Sequence, residues 1–200
     1  VDETGRVVPG DKLLILIANS IRAKKVVTTV DASMAVEEAG FKVRRTPVGD
    51  AFVSQEVKKE GDFGGEAAGA WIFPGVSLCP DGVYAAAVVT NIASKERLSR
   101  LVDAIPSYPI LRSSFPADKK LMPQIEEELM RLQPLSVTRL DGLRLDMGDS
   151  WLLVRPSGTE PKMRLTVEAR SQKRAEELLS SGKAIIQKCQ EKASHGTEVS

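Results

Sequence analysis

The sequence predicts an α/β domain with a mainly parallel mixed sheet, followed by a small α+β domain with an antiparallel sheet and helices on one face. Three observations predict it. Between Pro9 and about Ile105, β-branched runs alternate with helical patterns about ten residues long, the signature of crossover units. Pro106-Ser107-Tyr108-Pro109 breaks that rhythm twice in four residues. Beyond it, two amphipathic helical patterns flank several short strand patterns. At roughly 100–200 residues per domain, 200 residues hold two small domains with cores of their own.

In the first domain, Asp11 is positioned to cap a helix whose Leu13, Leu14, Ile17 and Ile21 recur at helical spacing. Val26 to Val30 suits a buried strand. Ser33 opens a short helix that stops at Gly40, and Phe41 to Thr46 is the next strand. Asp50 to Glu60, ended by Gly61, is an amphipathic helix with Asp50 as its expected cap. Trp71-Ile72-Phe73 reads as strand. Asp81-Gly82 opens a helix to Ile92 so apolar that burial on most sides is expected. Ser94 restarts a polar-faced helix that ends before Pro106. In the second domain a helix covers about Lys119 to Leu132, and strands fall near Ser136–Leu140, Gly142–Asp146, Ser150–Val154 and Met163–Ala169. Asp141-Gly142 reads as a hairpin turn, and Lys173 to Lys192 is a final helix. The expected organisation is therefore 1–105, a hinge at 106–114, 115–192, and a disordered tail at 193–200.

Composition excludes several functions. Hydrophobic residues at 42% and charged ones at 28% are those of a folded globular chain. A formal charge of +1 argues against a nucleic-acid surface, which needs a concentrated basic excess. Five Phe, two Tyr and two Trp are too few for single-strand stacking platforms. The apolar run Leu13 to Ala18 is far short of the roughly 20 residues of a membrane span. Cys79 and Cys189 stand far apart, neither disulfide framework nor metal cluster, and indicate a reducing, cytoplasmic setting. Cys79 is expected to pack as a small hydrophobe. The single histidine, His195, falls in the polar tail, which removes Ser–His and Cys–His nucleophilic pairs from consideration. Arg44-Arg45 and Lys58-Lys59 read as solvated faces.

Two loops carry candidate chemistry. Arg155-Pro156-Ser157-Gly158-Thr159-Glu160-Pro161 joins two strands and adds a guanidinium and two hydroxyls to a glycine. Exposed amides, hydroxyl donors and a planar fork suit a phosphate, and Arg164, opposite the apolar row of its strand, adds charge. The alternative is a rigid turn with Arg155 in a surface ion pair. Gly61-Asp62-Phe63-Gly64-Gly65-Glu66-Ala67-Ala68-Gly69-Ala70 surrounds one carboxylate with glycines. Its spacing matches neither a dinucleotide fingerprint nor a Walker loop. Glu66 suits adjacent sugar hydroxyls; the alternative is a multi-glycine turn with a solvated Glu.

On these residues the chain resembles the C-terminal half of the α-D-phosphohexomutases, the phosphomannomutase, phosphoglucomutase and phosphoglucosamine mutase family. Arg155 to Pro161 with Arg164 is similar to that family's phosphate-binding loop, and Gly64 to Gly69 resembles its sugar-binding loop. Thr46-Pro47-Val48-Gly49-Asp50 and Asp81-Gly82 fit its third-domain pattern, all in the family's order. The resemblance implies an intramolecular phosphotransferase that interconverts hexose 6-phosphate and hexose 1-phosphate, with a hexose 1,6-bisphosphate as intermediate and activator. It implies substrate contacts from Gly65, Glu66, Arg155, Ser157, Gly158, Thr159 and Arg164, with Gly49 and Asp50 nearby. It also implies closure of the fourth domain over the substrate about the hinge. The phosphoserine and the Mg2+ loop are expected in N-terminal domains, since no Thr-Ala-Ser-His-Asn-Pro-like or Asp-Gly-Asp-x-Asp-Arg segment is present and Val1 begins beyond them. The chain is accordingly expected to be inactive alone, with those domains and a hexose phosphate as partners, and neither nucleic acid nor membrane. The family's Ser and His after the loop Glu are replaced by Ala68 and Ala70, which leaves sugar identity open. Val27 to Gly40 is similar to phosphoglucosamine-type members. A stand-alone phosphosugar-binding module is the alternative reading.

Overall fold

A computed structural model describes residues 1–157 and 160–196, with side chains through 193. Its contacts divide the chain into two compact units, Val1–Ser107 and Tyr108–Ser200. Among the described residues no helix is long and apolar enough to cross a membrane.

The first unit runs α1 (Gly10–Ser20), β1 (Lys25–Thr29), α2 (Ala35–Glu38), β2 (Lys42–Thr46), α3 (Asp50–Glu60), β3 (Phe63–Glu66), β4 (Ala70–Ile72), α4 (Gly82–Ala93) and α5 (Leu98–Asp103). Its sheet has the order β2-β1-β3-β4, parallel except for the β3–β4 pair, so the expected mixed sheet is present. Helix α1 is buried nearly all round, from Leu14 to Ala18. Even Lys12 is buried: its Nζ donates to the carbonyls of Val102 (2.8 Å) and Ile105 (2.7 Å) at the C-terminal end of α5. Burial pushes the pKa of Lys12 down.

Several expectations are corrected here. Asp11 does not cap α1: the helix starts at Gly10 with Pro9 as its N-cap, and the Asp11 carboxylate accepts from the backbone N–H of Ser33 at 3.1 Å. Asp50 is the first residue of α3 rather than its cap, a place held by Gly49, although its charge still complements the helix N-terminus. Asp81 does cap α4, accepting from the Tyr84 N–H at 2.8 Å. That helix is not buried on most sides, because only Ala85 and Ile92 are enclosed while Val83 is 85% exposed. Ser94 closes α4, and the next helix begins only at Leu98. Arg45 is no solvated residue: Glu37 holds one edge of its guanidinium, and Nη1 donates to the carbonyls of Thr29 and Ala32. Cys79 is exposed; Cys189 is buried, which pushes its thiol pKa up.

The second unit is a five-stranded antiparallel sheet, built from β5 (Ile110–Pro116), β6 (Ser136–Thr138), β7 (Leu143–Asp146), β8 (Ser150–Pro156) and β9 (Lys162–Ala169) in the order β5-β9-β8-β7-β6. Helices α6 (Met122–Met130) and α7 (Gln172–Gly196) contribute Ile125, Leu129, Leu178 and Ile186 to its core. Residues 110–114, read above as hinge, are strand: β5 pairs with β9 along its whole length, turning Leu111 and Phe115 to the core. The prolines on either side hid that period-two pattern. The backbone of α7 continues through 193–196, inside the expected tail; 197–200 lie outside the described residues.

Strand alternation gives the sheet two unlike faces. Leu143, Leu145, Leu152, Val154, Leu165 and Val167 face the helices. Arg112, Arg144, Trp151, Arg155, Arg164 and Glu168 occupy the alternate positions. Among them Glu168 is fully buried and accepts from Trp151 Nε1 at 2.6 Å, while the Arg144 guanidinium lies 4.2 Å from the Trp151 ring centroid.

Two predictions follow from the first unit. A Cβ at Gly64 would sit 2.3 Å from Val57 Cγ2 and 2.8 Å from Val53 Cγ1, so β3 lies against α3 only because no side chain intervenes. Gly64→Ala should destabilise the chain by about 1–3 kcal/mol, read as a lower denaturant midpoint. The Asp62 carboxylate accepts from the N–H groups of Lys24 (2.8 Å) and Lys25 (2.9 Å), and these bonds lower its pKa. Its contribution is complete above the unfolded value near 4 and is lost as pH falls through the lower folded value. Asp62→Asn should therefore lower stability at neutral pH, with the gap to wild type closing in unfolding curves taken below about pH 4.

Candidate functional site

The carboxylate of the first loop is held by its own fold. Phe63 to Glu66 is strand, not open loop, and a turn at 67–69 returns the chain as β4, so Glu66 stands opposite Ala70 at the end of a hairpin. The Gly69 N–H donates to the Glu66 carbonyl at 2.9 Å, closing that turn. Thr28 Oγ1 donates to the Gly65 carbonyl at 2.8 Å, tying the hairpin to β1. Glu66 is half-buried rather than solvated, and its Oε1 accepts from the Gly49 N–H at 2.7 Å. The structure thus brings Glu66 together with the Gly49–Asp50 segment at the start of α3. One carboxylate oxygen is fixed by a backbone donor, which sets the direction in which the group presents its remaining acceptor capacity. Gly10, at the start of α1, comes so close that a Cβ there would lie 1.9 Å from the Ala67 carbonyl oxygen. The turn that displays Ala67 and Ala68 is backed by a helix end and cannot collapse toward it. Ala68 is exposed on the turn.

The second loop closes the β8–β9 hairpin in the other unit. Arg155 and Arg164 are directly opposed in its ladder, a like-charge pair that costs stability unless an anion intervenes. Part of the compensation is internal: Arg155 Nη1 lies 2.9 Å from Asp141 Oδ2, at the turn between β6 and β7. That pair is partly enclosed, with side-chain exposures of 22% and 29%. Arg164 is exposed. Ser157 N donates to the Lys162 carbonyl at 2.7 Å, extending the ladder one pair beyond β8. The Ser157 Oγ is buried and has no hydrogen-bond partner among the described residues. An unpaired buried hydroxyl costs about 1–3 kcal/mol, so its position favours an added acceptor. Gly158 and Thr159, also expected in the site, lie outside the described residues. Glu160 pairs with Lys162 at 2.9 Å, and that ammonium draws the carboxyl pKa down. A cavity of about 290 Å3 opens on this flank, reached by Ser157, Lys162 and the segment that leaves β5.

Two residues of this region were not identified from the sequence. Asp141 was read only as half of a turn dipeptide, because the cross-sheet neighbour it pairs with is not local. Arg112, exposed and diagonal to Arg164, was hidden by the missed strand. Among the described residues no three His, Cys, Asp or Glu side chains converge on a common point.

Comparison with known proteins shows the family. Residues 9–108 match phosphoglucomutase/phosphomannomutase, alpha/beta/alpha domain III, and residues 116–181 match the C-terminal domain of the same family. A probable phosphoglucosamine mutase of Methanocella arvoryzae is 45% identical over 197 residues, covering 94% of this chain and 45% of the relative. A phosphoglucosamine mutase of Methanococcus vannielii is 39% identical, covering 93% of this chain and 45% of the relative. The chain thus spans less than half the length of these relatives. Among solved structures, a phosphoglucomutase/phosphomannomutase family protein of Burkholderia thailandensis shares the fold with a TM-score of 0.78 at 20% identity, over 93% of this chain and 43% of that one. N-acetylphosphoglucosamine mutase of Aspergillus fumigatus, in complex with GlcNAc-6P and magnesium, aligns with a TM-score of 0.65 at 15% identity, over 91% of this chain and 44% of that one. Two matched domains in order, each containing one of the two loops, place the chain in the phosphoglucomutase/phosphomannomutase family, as the C-terminal half of an α-D-phosphohexomutase.

Proposed function

We propose that this chain is the substrate-binding half of a phosphohexomutase that interconverts hexose 6-phosphate and hexose 1-phosphate, of the phosphoglucosamine type. The observation that carries the reading is the Arg155–Arg164 pair beside the Ser157 hydroxyl, which has no partner among the described residues: two cations and a donor at one loop end. Phosphate monoesters match such a set, since each terminal oxygen accepts several hydrogen bonds. The relatives named phosphoglucosamine mutase support the choice of sugar class.

In the proposed reaction a phosphoserine in N-terminal domains transfers its phosphoryl group to the free hydroxyl of the bound sugar phosphate. The resulting 1,6-bisphosphate turns over in the site and returns its other phosphoryl group to the serine. Phosphoryl transfer of this kind rests on positioning and charge neutralisation. Arg155, Arg164 and Ser157, together with Gly158 and Thr159, would grip the phosphate that is not reacting. Glu66, with Gly65 behind it and Gly49–Asp50 beside it, would accept hydrogen bonds from hydroxyls presented in both orientations of the sugar. Magnesium would neutralise charge on the transferred group from the N-terminal domains. By itself the 200-residue chain would bind without turning over, in a cytoplasmic protein.

Three outcomes test the reading. Arg155→Ala in the full-length protein should weaken binding of a hexose 6-phosphate by about tenfold or more in a calorimetric titration, as expected for a lost charged hydrogen bond. Ala68→Ser should change the ratio of kcat/KM values for glucosamine, glucose and mannose phosphates, while equal ratios would remove the hairpin turn from sugar recognition. The isolated chain, supplied with magnesium and a hexose 1,6-bisphosphate, should give no mutase turnover in a coupled assay; robust turnover would contradict the division of labour.

A further inference from the structure

We infer that Lys119 is a further phosphate-contacting residue, forming with Ser157 an anion subsite on the flank of the β8–β9 loop. The inference rests on the phosphosugar reading above and adds a residue from a different segment to it. The cavity of about 290 Å3 lies wholly within the second unit, between the loop end and the segment that follows β5. A water occupies about 30 Å3, so the space admits a tetrahedral phosphate with solvent around it. The segment is held against the loop by the Ala117 N–H, which donates to the Pro161 carbonyl at 3.1 Å.

Four charged side chains reach the cavity, and three are already engaged. Asp118 Oδ1 accepts from the Lys120 N–H at 2.8 Å, capping the 3-10 turn at Lys119–Leu121. Glu160 and Lys162 pair with each other at 2.9 Å. Lys119 is left exposed and without an ion-pair partner among the described residues. Ser157 lines the same cavity, and its buried Oγ has no hydrogen-bond partner among the described residues either. An ammonium and a hydroxyl donor without a protein partner among the described residues are complementary to an oxyanion. A neutral sugar hydroxyl would satisfy Ser157 and give Lys119 nothing. A phosphate monoester can satisfy both.

The test uses the full-length protein, titrated with glucose 6-phosphate, glucosamine 6-phosphate and inorganic phosphate. Lys119→Met should weaken each by about tenfold, the scale of one charged hydrogen bond, while Lys119→Arg stays close to wild type and melting temperatures are unchanged. The salt dependence of affinity should also fall in Lys119→Met, which a merely structural lysine would not cause. Wild-type affinities for Lys119→Met alongside a weakened Arg155→Ala would overturn this inference and leave the phosphate loop standing. Wild-type affinities for both variants would overturn the loop reading itself. Loss in Lys119→Met with none in Arg155→Ala would support the Lys119 subsite and move the phosphate away from the arginine.

Discussion

Two arginines set opposite one another on neighbouring strands are the constraint around which the second unit is organised. Arg155 and Arg164 meet across the β8–β9 ladder because the register of that hairpin allows no other pairing. Slipping one strand by a residue would turn its whole leucine and valine row away from the core, so core packing enforces the electrostatic conflict. Asp141 relieves part of it from the next strand pair. The rest is a standing preference for an anion at the loop end, and the buried Ser157 hydroxyl adds a donor to that preference. Charge repulsion, and a hydroxyl without a partner among the described residues, are the forms in which the proposed site would hold its affinity before a ligand arrives.

The first unit solves a different problem, the presentation of one carboxylate without letting it wander. Glu66 ends a strand, lies across from Ala70 in the hairpin, and is held by a backbone N–H from the start of α3. Helix α1 presses its first residue against the turn, and α3 presses two valines against Gly64. Gly10 and Gly64 therefore answer to packing, since each marks a place where helix and hairpin meet too closely for a side chain, whereas Gly69, with open space around it and φ at +111°, serves the turn. Rigidity of this sort suits recognition of hydroxyls at fixed spacing, because a preorganised acceptor loses little freedom on binding.

Much of this was legible in the residues. The alternation of β-branched runs with helical patterns gave the mixed sheet, and Asp50 to Glu60 was read with the boundaries observed. Errors came where the deciding partner is distant. The apolar α4 reads as buried from composition, yet little within its unit covers Val83. Arg45 reads as surface because nothing local announces that three loop carbonyls converge on it. Strand β5 was lost between prolines, although its long pairing with β9 is plain once the partner is known. In the candidate site, Arg155 and Glu66 could be selected by type and neighbours. Asp141 could not, since its role depends on which hairpin turn lands beside which strand.

The central claim is that the end of the β8–β9 hairpin is a phosphate seat. A crystal structure of the full-length protein with glucosamine 6-phosphate tests it most directly. The account predicts the phosphorus atom within reach of Arg155, Arg164 and the Ser157 hydroxyl, with the sugar ring directed away from the loop. A well-occupied ester bound elsewhere, with Arg155 still paired only to Asp141, would contradict it.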